Sequence, residues 1–156
     1  MGRPPAGRFH PVRARVLIGA AAVAACLAVT TAALAALPGG ARYTGTTSEN
    51  HNVTITIASN GKRIRRFAIN YFFHCSVAAD SRVFRTTIDR IVPDAQGRFA
   101  VKGDYTGSGG GDTHHFVASG KVGPKSASGT FKTTGHTLDK KVFCHSDKIH
   151  WSATRK

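Results

Sequence analysis

Two histidines beside two cysteines form the pattern in this sequence that points most directly to chemistry. His74 precedes Cys75, and His145 follows Cys144. If the cysteines face each other on neighbouring antiparallel strands, the histidines become direct cross-strand neighbours on the opposite face of the sheet. Two imidazoles at that spacing bind Zn²⁺ or Cu²⁺ when a third ligand joins them, and without a metal they form a pH-sensitive pair. We therefore take His74 and His145 as a candidate metal site or pH-sensitive pair.

A third ligand for this pair would come from His114 or His115, near the start of a later predicted strand. A competing interpretation is that the two cysteines join two separate sheets, so that the histidines merely flank the bridge at the surface. The sequence leaves both interpretations open. It contains no motif typical of a cofactor site, and no cofactor is predicted.

A short run of cations is the second candidate site. Lys62, Arg63, Arg65 and Arg66 lie close together, and we predict polyanion contact by the three arginines. Nucleic acid is not the expected partner, because a β surface binds it through exposed aromatic rings between the cations. Here the aromatic residues mostly share the predicted core face, with Phe72 the clearest exception. The expected partner is an acidic cell-envelope polymer or an anionic lipid surface; the alternative is a solvated basic surface without a ligand.

The residues needed for common enzyme chemistry do not occur in recognisable arrangements. There is no Gly-x-Ser-x-Gly elbow, and most of the few acidic residues lie in predicted turns, where aspartate bonds to its own backbone. The glycine-rich segment 107–111 is followed by Asp112-Thr113 rather than by Lys-Ser or Lys-Thr, so it does not match a phosphate-binding loop. We predict no catalytic residue and a non-enzymatic protein.

The first 35 residues have the composition of a secretory signal peptide. Residues 1–15 carry four arginines and no acidic residue, and residues 16–37 are uncharged and mostly apolar. Ala33-Leu34-Ala35 fits a cleavage site, which predicts that the mature chain begins at Ala36.

Cleavage at that point leaves a short linker over residues 36–41 and a single domain over residues 42–156. Two alternatives stay open: an uncleaved apolar helix that anchors the protein in a membrane, and a lipoprotein modified at Cys26. All three place the domain outside the cytoplasm, either secreted or associated with the cell envelope.

Removal of the signal changes both the charge and the cysteine count. Four of the 22 Lys and Arg lie in residues 1–35, so 18 remain against 8 acidic residues, a net charge of +10. Cys75 and Cys144 are then the only cysteines, and an even pair in an exported protein predicts a disulfide. Closing a loop of about 70 residues would stabilise the domain by roughly 4 kcal/mol.

Alternating apolar residues predict antiparallel β structure throughout the mature domain. Residues 53–57 alternate valine or isoleucine with threonine, and Asn60-Gly61 predicts a type I′ hairpin turn. The return strand presents large apolar side chains at every second residue over 67–75. Ile64 has the wrong parity for that face, which predicts a β-bulge near Arg65-Arg66.

About eight short strands joined by turns fit into the domain. The predicted fold class is therefore all-β and antiparallel, an up-and-down barrel or a β-sandwich, preceded by the N-terminal signal or apolar helix. The oligomeric state is not predicted.

Several short motifs occur together over most of residues 42–155. They are Tyr43-Thr44-Gly45, a phenylalanine-rich strand ending in Cys75, Ala127-Ser128-Gly129-Thr130, and Cys144-x-Ser146-x-x-Ile149-x-Trp151-Ser152-Ala153. In these motifs the chain resembles a class of small exported β domains of high-GC Gram-positive (actinobacterial) bacteria whose function is unknown. The resemblance implies a signal peptide, an all-β fold and a Cys75–Cys144 bridge. It implies no activity and no functional residue.

The resulting functional prediction is an exported, disulfide-stabilised, non-enzymatic binding or cell-envelope module. One alternative is a barrel that carries a small apolar ligand, with an interior cavity lined by Gly103, Ala118, Gly120 and Gly129. A secreted hydrolase is the less favoured alternative.

Overall fold

The computed structural model describes residues 37–106, 113–136 and 141–156, which belong to the compact unit Ala32–Lys156. These residues form nine β-strands and one 3-10 turn, Ala78–Asp80, and no α-helix. The strands are β1 (Arg42–Thr47), β2 (Asn52–Ile57), β3 (Ile64–Cys75), β4 (Arg82–Ile91), β5 (Arg98–Thr106), β6 (Thr113–Val122), β7 (Ser126–His136), β8 (Phe143–His145) and β9 (Ile149–Arg155). In this part of the chain no helix is long and apolar enough to cross a bilayer.

All strand pairs are antiparallel, and the sheet order is β4-β3-β2-β1-β9-β7-β6-β5. The short strand β8 pairs with both β3 and β7. It thereby closes a six-stranded barrel made of β1, β2, β3, β8, β7 and β9. The remaining strands extend the sheet outside this barrel: β4 pairs with β3, β6 pairs with β7, and β5 pairs with β6. The all-β antiparallel prediction is confirmed, and the fold is a barrel rather than a sandwich.

The tip of the β1–β2 hairpin fills the space between β3 and β9. The Glu49 carboxylate accepts a hydrogen bond of 2.8 Å from the backbone N–H of Phe72 on β3. On the other side, the N–H of Ser48 donates to the carbonyl of His150 on β9, at 2.7 Å. Beyond this tip β8 takes the place of β2 beside β3 and pairs with it at His74 and Cys75.

Buried aromatic side chains pack against one another in the core. Phe67 contacts both Trp151 and Phe99, with ring centroids 5.1 and 6.1 Å apart. The Tyr71 hydroxyl is hydrogen-bonded to Thr86 and to the Tyr105 hydroxyl within this core. Burial, with a smaller contribution from Tyr105, raises the pKa of Tyr71 far above its ordinary value.

The β2–β3 hairpin confirms the predicted bulge and corrects the predicted turn. Thr56 pairs with Arg66 but Ile57 pairs with Ile64, so Arg65 is the extra residue on β3. The type I′ prediction is wrong: Gly61 has a φ of 67°, but Asn60 is not among the residues with positive φ. The N–H of Gly61 donates to the carbonyl of Ala58, so the turn is centred on Ser59 and Asn60, and Gly61 follows it in the left-handed region.

The segment expected to be a linker is attached to the barrel over its described part. Leu37 and Ala41 are buried members of the core, and the N–H of Gly40 donates to the carbonyl of Ala58. The signal, anchor and lipoprotein predictions, and the glycine-rich segment 107–111, fall outside the described residues.

Candidate functional site

The predicted arginines converge on one open pocket, which we call the arginine pocket. It has a volume of about 490 Å³. Its lining residues are Gly40, Thr56, Ile57, Ala58, Ser59, Arg63, Arg65, Arg66, Asp89 and Arg90. The structure therefore brings Arg63, Arg65 and Arg66 together and adds Arg90 from β4, a residue that no sequence pattern indicated.

Arg65 and Arg90 are placed by two local irregularities of the strands. The pairing of Ile64 with Ile91 and of Arg66 with Asp89 sets Arg65 directly opposite Arg90. Arg90 has a φ of 61°, in the left-handed region that residues with a Cβ seldom adopt. The bulge and this backbone conformation thus occur at the same level of the β3–β4 pair, and both arginines line the arginine pocket.

Positive charge in the arginine pocket is only partly neutralised. Arg66 Nε lies 3.3 Å from Asp89 Oδ1, and both side chains are more than half exposed, so the pair contributes little to stability. Among the described residues, Arg63, Arg65 and Arg90 form no ion pair. The pocket therefore presents three uncompensated guanidinium groups to solvent.

The second candidate site lies at the far end of β3. His74 pairs with His145 and Cys75 with Cys144, and the cysteines are joined by a disulfide. The bridge therefore links two neighbouring strands, not two separate sheets, and the two imidazoles are cross-strand neighbours with ring centroids 6.0 Å apart. Both histidines are exposed on the face opposite the disulfide.

Neither histidine proposed as a third ligand reaches this pair. His114 is buried in the core, where its ring lies 4.8 Å from that of Tyr105 and 5.2 Å from that of Phe73. His115 lies on the outer face, but Thr134 of β7 separates it from His145, and its Nδ1 is 2.9 Å from Asp104 Oδ1. No set of three metal-ligating side chains is found in the described part of the chain.

The small residues proposed to line a ligand cavity are instead covered by aromatic side chains. A Cβ at Gly120 or Gly129 would lie 2.5 Å from Cζ2 of Trp151, and one at Gly103 would lie 3.1 Å from the ring of Phe116. Ala118 is fully buried. The space beside these small residues is occupied by the rings of Trp151 and Phe116. It therefore offers no support for a barrel that carries a small apolar ligand.

The alternation of buried and exposed residues along β6 could have shown that His114 is buried. His114 alternates with Phe116 and Ala118, which marks it as facing inward. No sequence pattern indicates that Arg90 lines the arginine pocket, because its position there depends on the register of β3 against β4.

Comparisons with models of protein families, with curated proteins and with solved structures find no match to this chain. The geometry of the two candidate sites is therefore the basis on which a function can be argued.

Proposed function

We propose that this protein is an exported, non-enzymatic binding domain whose arginine pocket holds anionic groups of an acidic cell-envelope polymer. The observation that carries the proposal is the convergence of four arginines on one open pocket, with Asp89 the sole acidic residue among those lining it. A guanidinium group presents a planar fork of donors that matches phosphate and carboxylate oxygens, which suits repeated anionic groups.

The energetics of the pocket also support an anionic ligand. Like charges opposite each other on paired strands destabilise a sheet, and the register of β3 against β4 places Arg65 opposite Arg90. A left-handed backbone at a residue with a Cβ adds a further cost, of order 1 kcal/mol. A bound polyanion offsets the repulsion, and such costs are typical of positions used for binding.

A polymer fits the pocket better than a lipid bilayer does. The apolar residues that line it, Ile57 and Ala58, are buried in the barrel. No apolar side chain of the lining is therefore available for insertion among lipid tails, whereas an extended chain with regularly spaced charges needs only the exposed guanidinium groups.

Export is the second part of the proposal. The disulfide is consistent with an oxidising, extracytoplasmic space, and the N-terminal composition favours a signal cleaved before Ala36. Leu37 would then be the second residue of the mature chain and is packed in the core. Intact mass spectrometry of protein recovered from the culture medium should give a chain that begins at Ala36; a chain that keeps residues 1–35, or carries lipid at Cys26, would contradict this.

Binding can be tested with probes of each anion class. Inorganic polyphosphate and polygalacturonate serve as the phosphate and carboxylate probes, and vesicles of anionic phospholipid represent the membrane. We expect R65Q and R90Q each to weaken polymer binding by about tenfold, since each removes a charged hydrogen-bonding group. K102Q removes the same charge from an exposed position on β5 and should leave binding unchanged.

Two results would overturn the proposal. One is equal affinity of R65Q, R90Q and K102Q for both polymers. The other is strong binding to the vesicles with none to either polymer, which would identify a lipid surface as the partner.

A further inference from the structure

The backbone pairing around the disulfide fixes how His74 and His145 face each other. The N–H of Ser76 donates to the carbonyl of Phe143 at 2.8 Å, which makes these two residues a hydrogen-bonded pair of the β3–β8 ladder. Pair types alternate along antiparallel strands, so His74 and His145, two residues away on each strand, form a pair of the same type. Their side chains therefore project side by side from the outer face.

The distance between the two rings is close to that of a shared metal ion. Two imidazoles bound to one tetrahedral ion at metal–nitrogen distances of about 2.0–2.1 Å have ring centroids about 5 Å apart. The centroids of His74 and His145 are 6.0 Å apart. Closing the remaining gap requires a shift of about 1 Å, which rotation of two exposed side chains supplies without backbone movement.

Each imidazole packs against a neighbouring aromatic ring, which limits its conformations. The Phe72 ring packs against His74 with centroids 4.8 Å apart, and the Phe143 ring stacks on His145 at 5.8 Å. Phe72 and Phe143 each precede their histidine by two residues on antiparallel strands, so they flank the pair at opposite ends. The adjacent disulfide fixes the two strands to each other. Little order has to be gained when an ion binds, which favours affinity.

From this arrangement we infer that His74 and His145 chelate a divalent transition-metal ion, with one ring nitrogen from each residue. Neutral imidazole suits Cu²⁺ and Zn²⁺, and the Irving–Williams order places Cu²⁺ first. Within the described ranges no third protein ligand adjoins the pair, so the remaining coordination positions are open to water or to a donor from another molecule. The site is distinct from the arginine pocket: Arg65 and His74 are nine residues apart on extended β3, which corresponds to about 30 Å.

The test is a titration of the disulfide-bonded exported protein with Cu²⁺ and Zn²⁺ by calorimetry, with electron paramagnetic resonance for Cu²⁺. We expect one ion per chain, tighter binding of Cu²⁺ than of Zn²⁺, and a copper spectrum with two imidazole nitrogens. H74A and H145A should each weaken binding by roughly tenfold or more, and the double variant should bind no ion at this site. F143L keeps both ligands and removes the stacking ring, so it should weaken binding less than H145A does.

H150A is the matched control, because His150 is also exposed and its contacts with Ser48 use the backbone. Its affinity should equal that of the unsubstituted protein. The inference is overturned if H74A and H145A bind the metal as well as H150A does, or if H115A alone abolishes binding. Since both histidines are exposed, circular dichroism and the count of free thiols should show an unchanged fold in every variant.

Discussion

The register of β3 against β4 places Arg65 opposite Arg90, and Arg90 has a left-handed backbone conformation with a φ of 61°. One arginine is the extra residue of a bulge and the other departs from regular strand geometry. Two irregularities at one level of a strand pair place two positive charges on the same pocket. Both features are expected to lower the free energy of unfolding, and substitution of Arg90 can measure this effect.

Replacing Arg90 by glycine should raise stability while lowering polymer binding. Glycine adopts the left-handed region freely, and the change also removes one of two opposed charges, so we expect the free energy of unfolding to rise by about 1 kcal/mol. Arg85→Gly at a regular position of β4 is the control and should lower stability by about 0.5–1 kcal/mol. Urea denaturation measures both. A loss of stability in R90G equal to that in R85G would show that Arg90 is not strained.

Gly129 is required by the close approach of Trp151. A Cβ at this position would lie 2.0 Å from the Ser119 carbonyl oxygen and 2.5 Å from Trp151 Cζ2, so Gly129→Ala should destabilise the domain by about 1–3 kcal/mol and alter the tryptophan emission. At Gly123 the nearest atom would be 3.4 Å away, and Gly123→Ala should change stability little. Equal unfolding midpoints for the two variants would contradict the packing described for the indole ring.

The disulfide should supply a large share of the stability. Cys75 and Cys144 are separated by 69 residues, and opening that loop in a Cys75→Ser/Cys144→Ser variant should cost about 4 kcal/mol. Thiol labelling of denatured, unreduced protein should find no free thiol at these positions. Two labelled cysteines there, or a variant as stable as the parent, would refute the bridge as a stabilising element.

Alkaline pH should destabilise the barrel through Tyr71. In the unfolded chain a tyrosine ionises near pH 10, whereas burial raises the pKa of Tyr71 in the folded state. The folded state therefore holds this proton more tightly, so its stabilising effect is complete below pH 10 and declines as the pH rises above it. Burial also raises the pKa of Tyr43, which adds to the decline.

A Tyr71→Phe variant isolates the contribution of that hydroxyl. Above pH 10 the stability of this variant should fall less steeply than that of the parent, and the difference in slope should approach about 1.4 kcal/mol per pH unit. Urea denaturation between pH 8 and pH 11 compares the two proteins. Parallel curves would mean that Tyr71 ionises in the folded state as readily as in the unfolded chain.

Local sequence patterns were sufficient for the longer strands and for one bulge. Alternation identified β2 and β3, and the parity conflict between Ile64 and Phe67 required an extra residue that the structure places at Arg65. The position of His74 opposite His145 follows arithmetically once the neighbouring cysteines are paired. These features depend on residues close in sequence or on a covalent link.

Closure of the barrel and the position of Arg90 depend on how strands distant in the sequence pair with each other, which local patterns do not specify. Strand β8 has three residues, too few for a periodic signal, yet it joins β3 to β7. Arg90 reaches the pocket because β4 pairs with β3 in one particular register, which no local pattern specifies. The type I′ prediction at Asn60-Gly61 was wrong because the turn is centred one residue earlier, on Ser59 and Asn60.

The salt dependence of polymer binding tests the central claim most directly. Affinity for polyphosphate should be measured from low to high salt for the parent, for R63Q/R65Q/R90Q, and for a control, K102Q/K121Q/K132Q, which removes three exposed cations outside the pocket. The logarithm of the affinity should fall linearly with that of the salt concentration, and the slope should be shallower by about one for each contacting cation removed. We predict a slope reduced by about three in the arginine variant and unchanged in the control. Equal slopes for the two variants, or an affinity that does not depend on salt, would contradict a binding function for the arginine pocket.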